Sequence, residues 1–474
     1  MPDPNGAADR LPAGTRLGLA PGARRLRPGL LCGGRPWRLL RLTAAGDAWI
    51  DRWTVGQPVP GSPAAGRLAR RLVESGLASV RADPDPQRSV LVVVPARDRA
   101  AGLAATLDAL DPGVDVVVVD DASTDRAATA DVVSRRPRTS LLRRARQGGP
   151  AGARNTGWRS KVTDVPEAAD LIAFVDTDCV PPVDWTATLA GHFSDPTVGA
   201  VAPRITARPA PGAPRWIHAY EAARSPLDLG PDPAPVKPRS SVPYVPTAAL
   251  VVRRAALVEV DGFDEDLETG EDVDLVWRLD RAGWRVRYDP AVVVGHPTRS
   301  DLTGWLRQRV GYGRSAAPLA VRHGAAVAPL TGSRWSVASW VLLGLGHPVA
   351  GVALALGSAG RAARTPSAAP LPRAAIAGVA LRSHLSAGIG LADAVRRAWW
   401  PPALCLALAW RRPRPALLAV AVVPPLVEWR RRRPDLGPFT WTILRLADDL
   451  AYGAGVWAGV VRTGRARALL PDLA

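Results

Sequence analysis

From residue 90 to residue 294, short apolar runs alternate with mixed stretches of helical period. Val90–Val94, Leu171–Val175 and Ala248–Val252 are continuous apolar runs of strand length, Val114–Val119 and Tyr288–Val294 read as further strands interrupted only by Asp115 and by Asp289-Pro290, and Ala100 to Leu110 reads as a helix between the first two strands. Strands that alternate with helices predict an α/β domain with a parallel, Rossmann-like sheet, whose ligand crevice lies beyond the carboxyl ends of the strands. Ahead of it, Gly29–Leu42 reads as two short strands joined by a glycine turn. Thr43 is placed to cap a helix that runs to Trp53, and Gly66–Leu77 has the pattern of a second amphipathic helix. Strands with two helices at this size predict a small N-terminal winged-helix-like domain over 11–83, closed by the stiff linker Asp83-Pro-Asp-Pro86. The α/β domain spans 88–325, and 326–474 is an apolar, helical C-terminal region.

In that last region Ser336–Gly360 contains no Asp, Glu, Lys or Arg, which meets the roughly 20-residue length of a membrane span. His347-Pro348 interrupts it, and the later apolar runs Leu404–Trp410 and Ala416–Val427 are shorter. Trp399-Trp-Pro-Pro402 and the arginines 430–433 have the composition of interfacial anchors. The expectation is a helical tail that associates with a membrane; a soluble helical bundle is the alternative.

Three strand ends deliver polar clusters to one edge: Pro95-Ala-Arg97-Asp98, Asp120-Asp121 and Asp176-Thr-Asp178. Two carboxylates one residue apart at a strand end offer hard oxygen ligands to Mg²⁺ or Mn²⁺, which take one or two carboxylates plus substrate phosphates. A solvated acidic turn is the bland alternative for any one of them. Gly148–Gly157 is a glycine-rich loop leading into a helix, where backbone amides and Arg154 suit a diphosphate and a simple turn suits equally. Glu271 and Asp272 precede a helix expected from about Val273, either as acidic helix caps or as a general base facing an acceptor. His296, at the end of the last strand, is a third metal ligand or a structural histidine.

Charge narrows the partners less than the pattern does. The 474-residue chain carries +18 with a pI near 11.2, nearly all from arginine, since Lys161 and Lys237 are its only lysines. Such a surface suits phosphorylated substrates, nucleic acid or anionic lipid. The second N-terminal helix offers Arg67, Arg70 and Arg71 with no Asn or Gln for base edges, so direct DNA readout is poor; a peptide-docking role or a structural cap serves as well. Cys32, Cys179 and Cys405 are far apart and lack metal-ligand spacing, which points to a reducing compartment. Met1–Arg10 has no apolar segment of a signal peptide, so the expected place is the cytoplasm or the cytoplasmic face of the cell membrane.

The motifs Val93-Val-Pro-Ala-Arg-Asp98, Val119-Asp-Asp-Ala-Ser-Thr-Asp125 and Val175-Asp-Thr-Asp178 resemble those of the family 2 glycosyltransferases, which have the GT-A fold. The resemblance implies an inverting enzyme that uses a nucleotide-diphospho-sugar and a divalent metal. By it, Pro95, Arg97, Asp98, Asp120, Asp121, Arg154 and Asp176 bind the nucleotide-sugar. Asp176, Asp178 and His296 hold Mg²⁺ or Mn²⁺, and Asp272 is the base beside Glu271. Tyr220 to Gly230 and Tyr244 fall near the acceptor. Trp305, Gln308, Arg309 and Tyr312 stand where processive members carry Gln-x-x-Arg-Trp against the diphosphate or growing glycan. This chain departs from that spacing, which puts processivity in doubt.

More narrowly, Ser225–Gly230, Tyr244–Arg254, Gly270–Leu279 and Tyr312–His323 resemble the mycofactocin system glycosyltransferases. That implies transfer of β-1,4-linked glucose from UDP-glucose to a peptide-derived redox cofactor precursor, no nucleic acid partner, and an N-terminal unit similar to the peptide-binding winged helix of pyrroloquinoline quinone biosynthesis. A polyprenyl-phosphate or envelope polysaccharide acceptor, in keeping with the apolar tail, is the alternative.

Overall fold

The computed structural model describes residues 7–34, 37–160, 169–364 and 373–473. Lys161, the first six residues and the Arg35-Pro36 part of the expected N-terminal turn lie outside the described residues. The chain forms two compact units, Met1–Pro209 with Ser225–Pro297, and Ala210–Arg224 with Thr298–Ala474. This division differs from the sequence boundary at 325, because the helices after residue 298 pack with the C-terminal helices.

In the first unit, β1 (Arg16–Leu19) leads to a small antiparallel sheet of β2 (Arg24–Arg27), β3 (Leu30–Gly33) and β4 (Arg38–Arg41). Helix α1 (Ala44–Thr54) starts where the sequence put it, with Thr43 Oγ1 accepting from the Gly46 amide at 3.1 Å. Helix α2 (Pro63–Glu74) begins earlier than its apolar period showed, because Pro63 fits the first helical turn; β5 (Ala78–Arg81) then pairs with β1. Four-residue strands are too short for alternation to reveal them, so β1, β2 and β5 had no signal. Leu17, Leu31, Ile50, Ala69 and Leu72 close this layer's core. Arg70 is not on a nucleic-acid face. It is buried, and its guanidinium grips Asp195 of the α/β layer at 2.7 and 3.0 Å, beside Arg287. Burial opposes the Asp195 charge, but the bonds from Arg70 and the Arg287 charge outweigh it and bring the carboxyl down to about 2.

The α/β layer follows as β6 (Val90–Ala96), α3 (Ala100–Ala109), β7 (Asp115–Asp120), α4 (Arg126–Ser134), β8 (Thr139–Arg143), α5 (Gly149–Arg159), β9 (Leu171–Val175), α6 (Trp185–Ala190) and β10 (Val198–Arg208). After α7 (Arg215–Arg224), which belongs to the second unit, come β11 (Ala234–Pro235), β12 (Ala249–Arg253), α8 (Arg254–Glu259), α9 (Glu271–Arg281) and β13 (Arg285–Pro297). The sheet order is β11-β13-β10-β12-β9-β6-β7-β8. It is mixed rather than parallel: β12 runs antiparallel to both neighbours and β11 antiparallel to β13. The chain re-enters at β12 from the edge where β10 ends, so that strand must run back. Val92–Val94, Val117–Val119 and Leu171–Val175 are fully buried, as continuous apolar runs require. The sequence did not announce β10, because Pro203 argues against a strand; the sheet accommodates it at a bulge, where Pro203 pairs with Asp289 and the next residue with Val293. Edge strand β8, half exposed, lacked the apolar run.

Gly157 shows how tightly α5 lies on this sheet. A Cβ there would come 2.3 Å from Val93 Cγ1 and 3.1 Å from Val119 Cγ2, so a larger residue would force the Val93 side chain out of its place and press on Val119.

The second unit joins α7 to α10 (Leu302–Arg314), α11 (Ala316–His323), β14 (Thr331–Gly332), α12 (Arg334–Gly344), α13 (Pro348–Ala363), α14 (Arg373–Arg397), α15 (Trp400–Ala409), α16 (Arg414–Arg432), α17 (Pro438–Thr463) and β15 (Asp472–Leu473). Ile217, Tyr220, Trp305 and Trp441 form a core cluster in this unit. A Cβ on Gly313 of α10 would lie 2.0 Å from the Tyr452 carbonyl oxygen of α17, so glycine is what lets these two backbones touch. The uncharged run Ser336–Gly360 is split between α12 and α13, with His347-Pro348 at the break. Among the described residues no helix is long and apolar enough to cross a membrane.

Candidate active site

The carboxyl end of β9 is tied to the start of α9 through Arg154, and the ends of its parallel neighbours β6 and β7 lie along the same edge of the sheet. After β9 the chain makes a tight turn, with the Cys179 amide donating to the Asp176 carbonyl at 3.0 Å. Helix α3 clamps that turn: Thr106 Oγ1 donates to the Cys179 carbonyl at 2.9 Å, and a Cβ on Gly102 would lie 2.5 Å from the Thr177 carbonyl oxygen. The end of β13 is stitched to it by paired bonds between Val180 and Gly295, at 2.9 and 3.1 Å. This brings His296 Nε2 to 3.6 Å from Asp178 Oδ1, while Asp178 Oδ2 accepts from Arg99 at 2.6 Å. Burial and the two aspartates push the Cys179 thiol up, so it stays protonated and inert.

Arg154 is the joint between the two acidic motifs. It is buried on α5, donating to Asp176 Oδ1 at 2.7 Å and to Glu271 Oε1 at 2.8 Å. Burial alone would lower its pKa, but the two carboxylates more than offset that and hold it fully charged. The next residue fixes the loop before α9: Asn155 Nδ2 donates to the Phe263 carbonyl at 2.8 Å and Asn155 Oδ1 accepts from the Phe263 amide at 2.9 Å. Gly262, at φ +66°, passes so close that a Cβ would lie 2.5 Å from Asn155 Oδ1. Phe263 lies under Arg154 and packs edge-on against Phe174 of β9. Gly270, at φ +85°, then turns the chain into α9, whose first residues are Glu271 and Asp272. Burial and the neighbouring Glu271 charge push Asp272 up to about 7, although its Oδ1 accepts from the Val273 amide at 2.8 Å.

The expected nucleoside-side residues divide by role. Asp120 is buried, accepting from the Ser123 amide at 2.8 Å and from Arg143. Asp121 is buried as well and accepts from the Gly148 and Gly149 amides at 2.9 and 2.8 Å, so it holds the glycine loop in place. Asp98, at φ +50°, accepts from the Thr124 amide and hydroxyl at 2.7 Å each, and these bonds lower its pKa. These carboxylates build the loops around the strand ends. Pro95, one residue before the end of its strand, is half-buried, and Arg97 is exposed with Asp98 at 3.7 Å.

Several expectations need correction. Arg154, expected to meet a diphosphate, is buried and gives its forks to Asp176 and Glu271. For that reason Asp176, Asp178 and His296 do not close into a three-ligand cage, and among the described residues no group of three His, Cys, Asp or Glu side chains is placed to hold a metal. Asp178 and His296 remain as a pair, and a carboxylate with an imidazole fits a divalent cation whose other positions are filled by phosphate oxygens and water. Trp305 and Arg309, expected at the diphosphate or growing glycan, have their side chains committed to other groups. They are buried in the second unit, where Trp305 Nε1 donates to Glu221 Oε1 at 2.7 Å and Arg309 pairs with Glu221 and with Asp448 at 3.0 Å. Gln308 Nε2 donates to the Tyr312 hydroxyl at 2.9 Å. Tyr220, expected near an acceptor, is buried in the same unit with its hydroxyl on Asp448 at 2.8 Å. Arg99 and Asn155 had no sequence signal: only the contact with Asp178 separates Arg99 from Arg97, and only the fold brings Asn155 to Phe263.

The sequence profile described as "Glycosyl transferase family 2" matches residues 91–257. The chain is 40% identical over 480 aligned residues to the protein of Mycobacterium tuberculosis named "Pre-mycofactocin glycosyltransferase", covering 98% of this chain and 99% of that one. It is 28% identical over 265 residues to an N-acetylglucosaminyltransferase of Rhizobium meliloti, covering 52% of this chain and 60% of that one. Among solved structures, GalNAc-T7 with UDP, GalNAc and Mn²⁺ superposes with a TM-score of 0.35 at 16% identity, over 50% of this chain and 52% of that one.

Proposed function

The chain belongs to the pre-mycofactocin glycosyltransferases of glycosyl transferase family 2, and we propose that it moves a hexose from a nucleotide-diphospho-sugar to a mycofactocin precursor with inversion at the anomeric carbon. The donor proposed is UDP-glucose, the new linkage β-1,4, and the acceptor a peptide-derived redox cofactor precursor. The observation that carries the reading is Arg154, whose two forks tie the acid at the end of β9 to the acids that open α9. Separate parts of the chain thereby supply a donor side, Asp176 and Asp178, and a basic group, Asp272, around one small space.

In the proposed step the acceptor hydroxyl oxygen attacks the anomeric carbon as the bond from that carbon to the diphosphate oxygen breaks. The diphosphate leaves with the electron pair. Asp272 takes the hydroxyl proton, and its raised pKa makes it a stronger base than an ordinary carboxylate, near the pH at which it works. Mg²⁺ or Mn²⁺, when bound at Asp178 and His296, would supply Lewis-acid stabilisation of the leaving group. Arg154 holds Asp176 and Glu271 in place and keeps their charges from driving the two segments apart.

The test is transfer by the purified protein across a panel of sugar nucleotides, with and without Mn²⁺ after chelation, read by mass spectrometry of the acceptor. The expected result is a hexose mass gain on the peptide-derived precursor from UDP-glucose, dependent on added metal. Asp178→Ala should lose the metal response. Neither transfer nor hydrolysis with any sugar nucleotide would refute the reading, and transfer to a polyprenyl phosphate but not to the precursor would replace the acceptor.

The second unit is proposed to rest on the cytoplasmic face of the membrane without crossing it. Leu356, Leu381, Leu408 and Leu418 are 60–71% exposed, and the arginines 411–412 and 430–433 are close in sequence to two of these helices. The expected outcome is flotation of the protein with vesicles containing anionic lipid, weakened by salt; failure to float at low salt contradicts the proposal.

A further inference from the structure

Arg97, Arg99 and Arg154 stand near the strand ends, and they are not equivalent. Arg154 is buried and committed to two carboxylates. Arg97 is exposed and nearest to its own neighbour Asp98. Arg99 has a half-exposed side chain, 49%, and holds Asp178 Oδ2 at 2.6 Å, on the carboxylate whose other oxygen faces His296. Resting on the glycosyltransferase reading above, we infer that Arg99 is a diphosphate-binding residue that sits on Asp178 until donor arrives, and that this exchange makes cation and nucleotide bind together.

The argument is a competition for one carboxylate. A divalent cation beside Asp178 Oδ1 and His296 Nε2 would lie within a few ångströms of the guanidinium, and like charges at that distance repel. One of the two must yield. Asp178 cannot, because the turn that carries it is pinned by Thr106, by the close approach of Gly102 and by the Val180–Gly295 bonds. Arg99 can: it is long, half in solvent, and Asp178 is its one ion-pair partner among the described residues. The group that would draw it away is an anion carried in with the metal, and a diphosphate matches the planar fork of a guanidinium. Arg99 immediately precedes α3, the helix that clamps the turn, so its backbone stays anchored while its head moves.

The experiment measures Mn²⁺ binding to the full-length protein with and without UDP, by the signal of free Mn²⁺ in electron paramagnetic resonance, and UDP binding by calorimetry. Arg99→Gln should bind Mn²⁺ alone about two- to fivefold more tightly, the scale of a released, partly exposed ion pair. The same variant should bind UDP in the presence of Mn²⁺ about 10- to 100-fold more weakly, the scale of lost charge-assisted bonds. Opposite shifts support the inference. Unchanged or weaker Mn²⁺ binding without UDP, or unchanged UDP binding, overturns it. Arg99→Lys keeps the charge without the fork, and should restore the wild-type Mn²⁺ affinity with only part of the UDP affinity; full recovery of both, or of neither, also overturns it. A wild-type protein that binds neither Mn²⁺ nor UDP overturns the glycosyltransferase reading along with it, whereas a wild type that binds both beside an indifferent Arg99→Gln overturns this inference alone.

Discussion

Asp272→Asn lowers kcat by about 10²- to 10⁴-fold, the usual worth of a positioned general base, while calorimetry finds the affinity for UDP and Mn²⁺ unchanged. The side chain keeps its shape and its Oδ1 can still accept from the Val273 amide, so the donor side is undisturbed. In the wild type, kcat/KM should rise with pH and level off above about 7, because a base must be unprotonated and this one is held up by burial and by Glu271. Stability runs the other way. The folded carboxyl titrates above its ordinary value of 3.8, so its contribution is fully present below that value and lost as pH rises through about 7. The Asn variant has no such ionisation. Its melting temperature at pH 8 should equal or exceed that of the wild type, whereas a residue needed for folding would show a drop. Donor affinity falling in step with kcat, or a flat wild-type pH profile across this range, would take Asp272 out of the base role.

Much of this site could be read in the chain before the fold was known, for a physical reason. A strand buried on both faces must be apolar throughout, so Val90–Val94, Val116–Val119 and Leu171–Val175 stand out, and the first polar residues after them mark the crevice. Glu271 and Asp272 were legible because a glycine and an acidic pair precede a helical period. What stayed hidden was which distant groups meet. Arg154 looks the same in sequence whether it faces a phosphate or two carboxylates, and only the approach of α5 to α9 decides. Arg97 and Arg99 are two residues apart on one loop, and the Asp178 contact that distinguishes them is tertiary. Trp305 and Arg309 are four residues apart, which places both on one helical face, and only the packing of this unit shows that the face is the buried one. In the tail, Ser336–Gly360 has the length of a span and the polarity to match, but a proline and a preceding histidine end one helix and start another within it.

Arg154→Met should be the most destabilising single change at this site, costing about 3–5 kcal/mol, because it leaves Asp176 and Glu271 facing each other without the cation that satisfied both. Chemical denaturation at pH 7.5 measures it. Arg154→Lys should recover only part of the loss, since one ammonium cannot span two carboxylates 2.7 and 2.8 Å from separate guanidinium nitrogens. Activity supplies an independent sign. Arg154 is one of the groups that pull the Asp272 pKa down, so without it the base should titrate above about 7 and the rising limb of the rate profile should move to higher pH. Rate lost at pH 7 should therefore return in part at pH 9 for whatever fraction of the variant is folded. Arg154 and Asp272 then separate cleanly. The arginine variant loses stability and shifts its pH profile, while the asparagine variant keeps stability and loses rate at every pH. A stable Arg154→Met enzyme with an unmoved profile would mean that the two acidic motifs hold their places without the bridge.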